Sequence, residues 1–396
     1  MSSLDPVIPQ TAKLLRPTWA EISLAALGRN FDRVRQLAGA RKVMAVIKAD
    51  AYGHGAVPVA RALAARGVDW LGVATVEEAV ELREAGIRQP ILLLGGLYMS
   101  DPADLIAYDL TPGVSSTARL DTYADCARRE GRPINFHLKI DTGLGRLGLP
   151  PDRLELFMRH LREIGEGPGG PALRLTGFFT HLASAEDLVA SQTGEQGARF
   201  SAALVRLRSL GMDPEWVHVA NSAALLARSR FPENLVRVGA LLYGYCLPLR
   251  LPPGLAAPPS PQFEPILSFK SRVVYLKDVP SGTPLGYGAS FFTRRASRIA
   301  TLPVGYADGL SRALSNRGRA MVRGQRAGIV GSISMDLTLL DVTDIPGVAV
   351  GDEVTLIGKS GDVSITALEI AREVGTVPYE VLCSIGKRVP RIYVED

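Results

Sequence analysis

VMAVIKADAYGHG, residues 43–55, is the stretch on which the fold turns. Its near-continuous apolar opening reads as a strand buried on both faces, the kind found in parallel sheets. It then ends on an amine, Lys48, and breaks into small residues around Asp50, Tyr52 and His54. An open, doubly wound sheet usually follows its first strand with a glycine-rich G-x-G-x-x-G turn, and Gly53-His54-Gly55 does not match it. Further along lie apolar stretches of the same kind at 70–75, 91–96, 110–116, 136–142, 175–181, 216–222 and 235–242. Between them run amphipathic segments such as VEEAVELREAG (76–86), with Gly86 placed as a C-cap, and PDRLELFMRHLREIG (151–165). Eight strands alternating with helices predict an α/β fold, a (β/α)8 barrel of the TIM type.

A chain of 396 residues exceeds one ordinary core. LPLRLPPGLAAPPSP (247–261) reads as a linker, and beyond it strands alternate with Gly/Asp turns. The expected division is a barrel domain over 1–255 and a mostly β C-terminal domain over 256–396. The early segment 17–27 begins as a strand, about 17–24, that is expected to join the second domain.

The hydrophobic share of 46% predicts a fully folded chain. The net charge of +5 is scattered without long runs, which argues against a nucleic-acid surface. Cys126, Cys246 and Cys383 show no paired spacing, so they read as small buried hydrophobes and not as disulfides or metal ligands. No stretch has the length of a membrane span, and the first residues lack a signal-peptide apolar core. The expected location is the cytoplasm, with no membrane partner.

In a barrel of this type the active site lies past the C-terminal ends of the strands. Those positions hold Lys48, Tyr52, Arg146, His181, Asn221, Ser222, Arg237 and Gly239. Each has a bland reading: a solvated lysine, a satisfied buried histidine, Ser222 as a helix N-cap, Arg237 paired with a carboxylate. Together on one rim they suggest chemistry. An amine in an apolar pocket can attack a carbonyl to form a Schiff base. The Ser222 hydroxyl and the backbone amides near Ser222, Gly239 and Ala240 suit a phosphate. Pyridoxal 5′-phosphate meets both demands, and so does a sugar phosphate on an aldolase lysine.

At this point the chain resembles the alanine racemase family. The motifs are VIKADAYGHG, HLKIDTGLGRLG (137–148), THLASAE (180–186), HVANSAA (218–224), RVGALLYG (237–244), GYGASF (286–291), LPVGYADGLSR (302–312), SMD (334–336) and PYEVLCSIGKRVPRIY (378–393), in that order. The resemblance implies a barrel followed by a β domain and pyridoxal phosphate as cofactor. It implies that Lys48 holds the cofactor as a Schiff base and serves one face of Cα, while Tyr287 serves the other. Racemisation needs such a pair, because a planar carbanion must lose and regain its proton on opposite sides. His181 would relay towards Arg237, which would face the pyridine nitrogen without giving up its own proton. The phosphate would fall to Tyr52, Ser222, Gly239, Ala240 and Tyr379, beside Asn221. Arg146, Tyr306 and Met335 would meet the substrate, and Lys139 would be a candidate for carbamylation, with pairing to a carboxylate as its plain alternative. The active sites would be shared across a homodimer.

Two positions depart from the family pattern. Ser332 stands where an arginine is common, and Glu186 where an aspartate is common, both on the substrate access path. The expected activity is interconversion of L- and D-alanine, supplying D-alanine for peptidoglycan. A broad-specificity amino-acid racemase, a decarboxylase of the same architecture, and a pyridoxal-phosphate-binding protein without turnover are the alternatives.

Overall fold

The computed structural model describes residues 15–165, 172–254, 256 and 262–395. They divide into two compact units. One comprises Leu27–Ala51 and Ala56–Glu264; the other comprises the residues up to Ala26, the short piece Tyr52–Gly55, and the chain from Pro265 onward. Most of the expected linker, at 255 and 257–261, lies outside the described residues.

After a first strand β1 (Thr18–Ser23), eight strands build the larger unit: β2 (Lys42–Val46), β3 (Trp70–Val73), β4 (Ile91–Leu93), β5 (Leu110–Val114), β6 (Ile134–Lys139), β7 (Leu173–Phe179), β8 (Trp216–His218) and β9 (Leu235–Val238). They form one parallel sheet in the order β8-β7-β6-β5-β4-β3-β2-β9. Asn234 N donates to Val217 O at 3.0 Å and Arg237 N to Ala220 O at 2.9 Å, which draws β8 and β9 together into a nearly closed barrel. All eight strands expected from the sequence are present. Their buried faces explain the continuous apolar runs, since helices cover the outside and side chains fill the inside.

The helices follow their sequence signals. Val76–Glu84 opens on a capping box in which Thr75 and Glu78 satisfy each other's backbone N–H groups, and Gly86 sits just past the C-cap with φ +84°. Leu154–Gly165 buries Leu154, Phe157, Met158 and Leu161, one face at helical spacing. No helix among the described residues is long and apolar enough to cross a membrane.

The second unit is a mostly β structure around a ten-stranded sheet. Strand β1 lies antiparallel to Leu267–Arg272 and parallel to Arg391–Val394, so early and late parts of the chain share one sheet. Cys383 departs from expectation. Cys126 is buried, but Cys383 is exposed because the helix Pro378–Cys383 turns Pro378, Val381 and Leu382 inward.

Past β2 the chain forms no loose loop. Ala49, Asp50, Ala51 and Tyr52 have φ of 53, 52, 52 and 55°, and Gly53 has 82°, one turn of left-handed helix. L-residues disfavour that turn by about 1–2 kcal/mol each. Side chains hold it: Ala49 N donates to Glu78 Oε1 at 2.6 Å, and Ala56 N donates to Asp50 Oδ1 at 2.7 Å. Within the second unit, Arg391 donates to the Gly53 carbonyl at 3.0 and 3.1 Å, and a Cβ on Gly53 would stand 2.6 Å from the Leu382 carbonyl oxygen. Strain of this kind persists only where the surroundings dictate it, commonly at functional sites.

Candidate active site

The barrel brings a group of cations to its C-terminal rim. Lys48 is half-buried two residues past the end of β2, and Lys139 is buried as the last residue of β6. Arg146 stands on the following loop. Asp141 Oδ1 fixes that loop by accepting from Gly143, Leu144 and Gly145 N–H at 3.0, 3.0 and 3.1 Å. Arg237 lies inside the barrel on β9.

Lys139 makes no ion pair among the described residues; its Nζ lies 5.5 Å from the centroid of the Phe179 ring. Burial, then Arg237, Arg146 and Lys48, lower its pKa to about 8. The alternative of Lys139 paired with a carboxylate is therefore not what the fold provides.

Arg237 is also unpaired with a carboxylate. Its Nη1 donates to His218 Nδ1 at 3.0 Å and His218 O at 2.8 Å. Its Nη2 donates to Thr180 O at 2.6 Å and Val219 O at 3.2 Å, with His181 Nδ1 at 3.3 Å. A guanidinium has five N–H donors, so both terminal nitrogens are committed to the protein and Nε–H is left for a ligand. Burial holds the Arg237 pKa down at about 10, which still leaves it charged at neutral pH. His181 is pushed down to about 3 by burial and by Arg237, and stays a neutral imidazole.

On the next turn of the rim, Asn221 and not Ser222 is the N-cap: its side-chain oxygen accepts from Ala224 N at 3.0 Å. Ser222 Oγ accepts from Gly239 N at 3.1 Å and Leu241 N at 3.4 Å. The Gly239 N–H is thus already engaged, and Ser222 keeps its hydroxyl hydrogen to donate.

The second unit carries the remaining expected residues. Tyr52 and Tyr379 meet edge to face, ring centroids 5.8 Å apart. Burial pushes the Tyr52 phenol up, so it remains a neutral donor. Tyr287 sits on a turn between Gly286 and Gly288, both with positive φ, and is 75% exposed; Tyr306 and Met335 are exposed too. Ser332 Oγ donates to the Tyr287 carbonyl at 3.3 Å and lies 3.0 Å from Ser290 Oγ. Among the described residues no group of three or more His, Cys, Asp or Glu is placed to hold a metal.

Sequence reading missed His137, His218 and Phe179 as parts of this centre. The signal was present in HLK: alternation in a strand puts 137 and 139 on one face, so an inward Lys139 carries His137 with it.

A barrel whose rim gathers lysines and arginines without matching carboxylates, joined to a β unit, defines a class that binds an anionic group beside a reactive amine. Family models for the alanine racemase N-terminal and C-terminal domains match residues 22–247 and 266–393. An alanine racemase of Halothermothrix orenii is 42% identical over 382 residues, covering 96% of this chain and 98% of its own. Among solved structures, an alanine racemase of Clostridium difficile superposes with a TM-score of 0.86 at 35% identity, covering 97% of both chains. An alanine racemase of Bartonella henselae, solved with covalently bound pyridoxal phosphate, gives 0.82 at 30% identity, covering 96% of this chain and 99% of that one. The chain belongs to the alanine racemase family.

Proposed function

We propose that Lys48 and Tyr287 are the two opposed bases of this enzyme. It is an alanine racemase that interconverts L- and D-alanine, and pyridoxal phosphate is its cofactor. When bound, the cofactor supplies an electron sink that acidifies the Cα proton of the amino acid. The observation that carries the residue assignment is the cation cluster of Lys48, Lys139, Arg146 and Arg237, none of which forms an ion pair among the described residues. Isolated buried charge is costly unless compensated, so such a cluster suits an anion that arrives with the cofactor and substrate.

Lys48 would hold the cofactor covalently and move a proton at one face of Cα. Tyr287 moves it at the other. Arg237 would offer Nε–H to the pyridine nitrogen, and since a guanidinium keeps its proton, it would leave that nitrogen unprotonated. The neutral Tyr52 phenol, Tyr379, the Ser222 hydroxyl and Ala240 would hold the phosphate, with Gly239, whose N–H Ser222 Oγ accepts, and Asn221 shaping the turns beside it. Arg146 orients the substrate carboxylate with paired donors. Lys139, with its lowered pKa and lack of an anionic partner, takes up carbon dioxide as a carbamate and supplies the missing negative charge beside Arg146.

The domain division proposed is 1–255 for the cofactor-binding barrel, apart from the first strand at about 17–24, and 256–396 together with that strand for the β domain that supplies Tyr287. Exposure of Tyr287, Tyr306 and Met335 together with Phe292 and Leu337 supports a homodimer in which each β domain completes the other subunit's site. A cytoplasmic role in D-alanine supply for peptidoglycan fits this reading.

Borohydride reduction of the cofactor-loaded protein, followed by peptide mapping, tests the assignment. A pyridoxyl group on Lys48 is expected; a label on another lysine contradicts it.

A further inference from the structure

Two buried histidines beneath Arg237 have no part in the roles above. His218 Nδ1 faces Arg237 Nη1 at 3.0 Å, and His218 Nε2 faces His137 Nδ1 at 2.9 Å. Both side chains are fully buried. A guanidinium can only donate, so His218 Nδ1 must accept. A neutral His218 then carries its proton on Nε2 and donates it to His137 Nδ1. His137 in turn carries its proton on Nε2, which is buried and has no hydrogen-bond partner among the described residues.

The strands are shaped for this contact. His137 on β6 is in register with Gly177 on β7, just after a register shift between Phe136 and His137. A Cβ on Gly177 would fall 2.3 Å from the His137 ring, so the glycine lets the imidazole cross β7 and reach His218 on β8. Phe179, two residues further along β7, stacks on His218 at 4.6 Å with an interplanar angle of 8°. The Trp70 ring backs His137 at 5.1 Å. Arg237 is the charged group that acts on both rings; with burial it holds His137 at about 3 and His218 well below the ordinary range.

We propose that His218 and His137 are positioning residues, a strut of two neutral imidazoles with fixed tautomers that holds the Arg237 guanidinium so that Nε–H faces the cofactor ring. The functional part rests on the assignment of Arg237 to the pyridine nitrogen; the tautomer pattern does not. A protonated His218 would turn both of its nitrogens into donors and break the contact with Arg237. The strut therefore works only while both rings stay neutral, which the barrel interior enforces.

Nitrogen-15 NMR of histidine side chains in the cofactor-free protein tests the tautomers. The expected result is a protonated Nε2 and an unprotonated Nδ1 at both His137 and His218, unchanged from pH 5 to 9. A proton on Nδ1 of either ring, or titration within that range, overturns the strut. For the positioning role, His137→Phe removes the acceptor and leaves His218 Nε2–H unsatisfied in the core. Its Kd for pyridoxal phosphate should rise roughly tenfold, the scale of one orphaned buried donor. His137→Asn, whose amide oxygen can accept near the Nδ1 position, should recover most of that loss, and a merely space-filling role would not produce such a rescue. Equal Kd in wild type and His137→Phe, or no recovery in His137→Asn, overturns the positioning role. If the wild-type protein failed to bind pyridoxal phosphate, the Arg237 assignment and the positioning role would fall together, and the NMR result would still decide the tautomers.

Discussion

The barrel rim and the Tyr287 turn are built in opposite ways. Around Arg237 the neighbours His218, Thr180 and Val219 are buried, and every donor on the terminal nitrogens has an acceptor within 3.3 Å. Tyr287 stands three-quarters exposed on a turn with three positive-φ residues, Gly286, Gly288 and Ala289. Its carbonyl accepts one long bond from Ser332. A rigid, water-excluded centre is what a fixed cofactor demands, since electrostatic preorganisation works best in a low-dielectric site. The other half of the site is left open in a single chain. On the assignment proposed above, cofactor binding would be a property of one subunit, whereas inversion would require two.

The sharpest break of that contrast is Lys48→Ala, which removes the anchor and one base together. Racemisation should fall on the order of 10⁴-fold or more, the upper range for losing a positioned proton-transfer group. Tyr287→Phe tests the other side. Inversion should fall roughly 10²–10⁴-fold, while the enantiomer served by Lys48 continues to exchange its Cα proton with retention. Loss of exchange from both enantiomers would contradict the division of labour between the faces.

Dilution sharpens the same contrast in another way. Activity per subunit should drop as the dimer dissociates, while the visible absorption of the bound cofactor persists. A constant specific activity for a monomer, measured by sedimentation, would place both bases in one chain.

Lys139 offers a smaller effect on the barrel side. With a pKa of about 8, roughly one amine in ten is neutral at pH 7, and the fraction rises through pH 8. Carbon-13 bicarbonate should give a carbamate signal that grows with pH over that range and is absent in Lys139→Ala. The activity of that variant should fall about tenfold, in line with loss of one supporting charge.

The last prediction bears on stability and not on turnover. Unfolded histidine takes a proton near pH 6.5, and folded His137 does so only near 3, so stability present above pH 6.5 is lost as the pH falls towards 3. Between pH 7 and 5 this single group should lower stability by about 2 kcal/mol. His137→Asn removes that share, so its melting temperature should decline less than that of the wild type over the same interval.

The sequence revealed the barrel because parallel strands covered on both sides must be apolar throughout, and eight such runs stand out from the amphipathic helices between them. It also placed Lys48, Arg146 and His181 past strand ends, whereas Arg237, expected there too, lies within β9. The left-handed turn at Ala49–Tyr52 was not legible: none of those four residues favours positive φ on its own, and the conformation is imposed by partners such as Glu78 and Ala56. The His137–His218 contact was hidden for a related reason. It joins two strands across a third, and only the register that sets Gly177 beneath the ring opens the way. The N-cap fell to Asn221 and not to Ser222 because adjacent polar residues at a helix start offer the same local signal, and only the backbone angles separate them.

The most direct measurement is incubation of the purified protein with pyridoxal phosphate and L-alanine in D₂O, following both enantiomers and the deuterium at Cα. D-alanine should appear with deuterium at Cα, far faster than D-serine or D-lysine from the corresponding L-amino acids. Cofactor bound without any Cα exchange would contradict the two-base racemase.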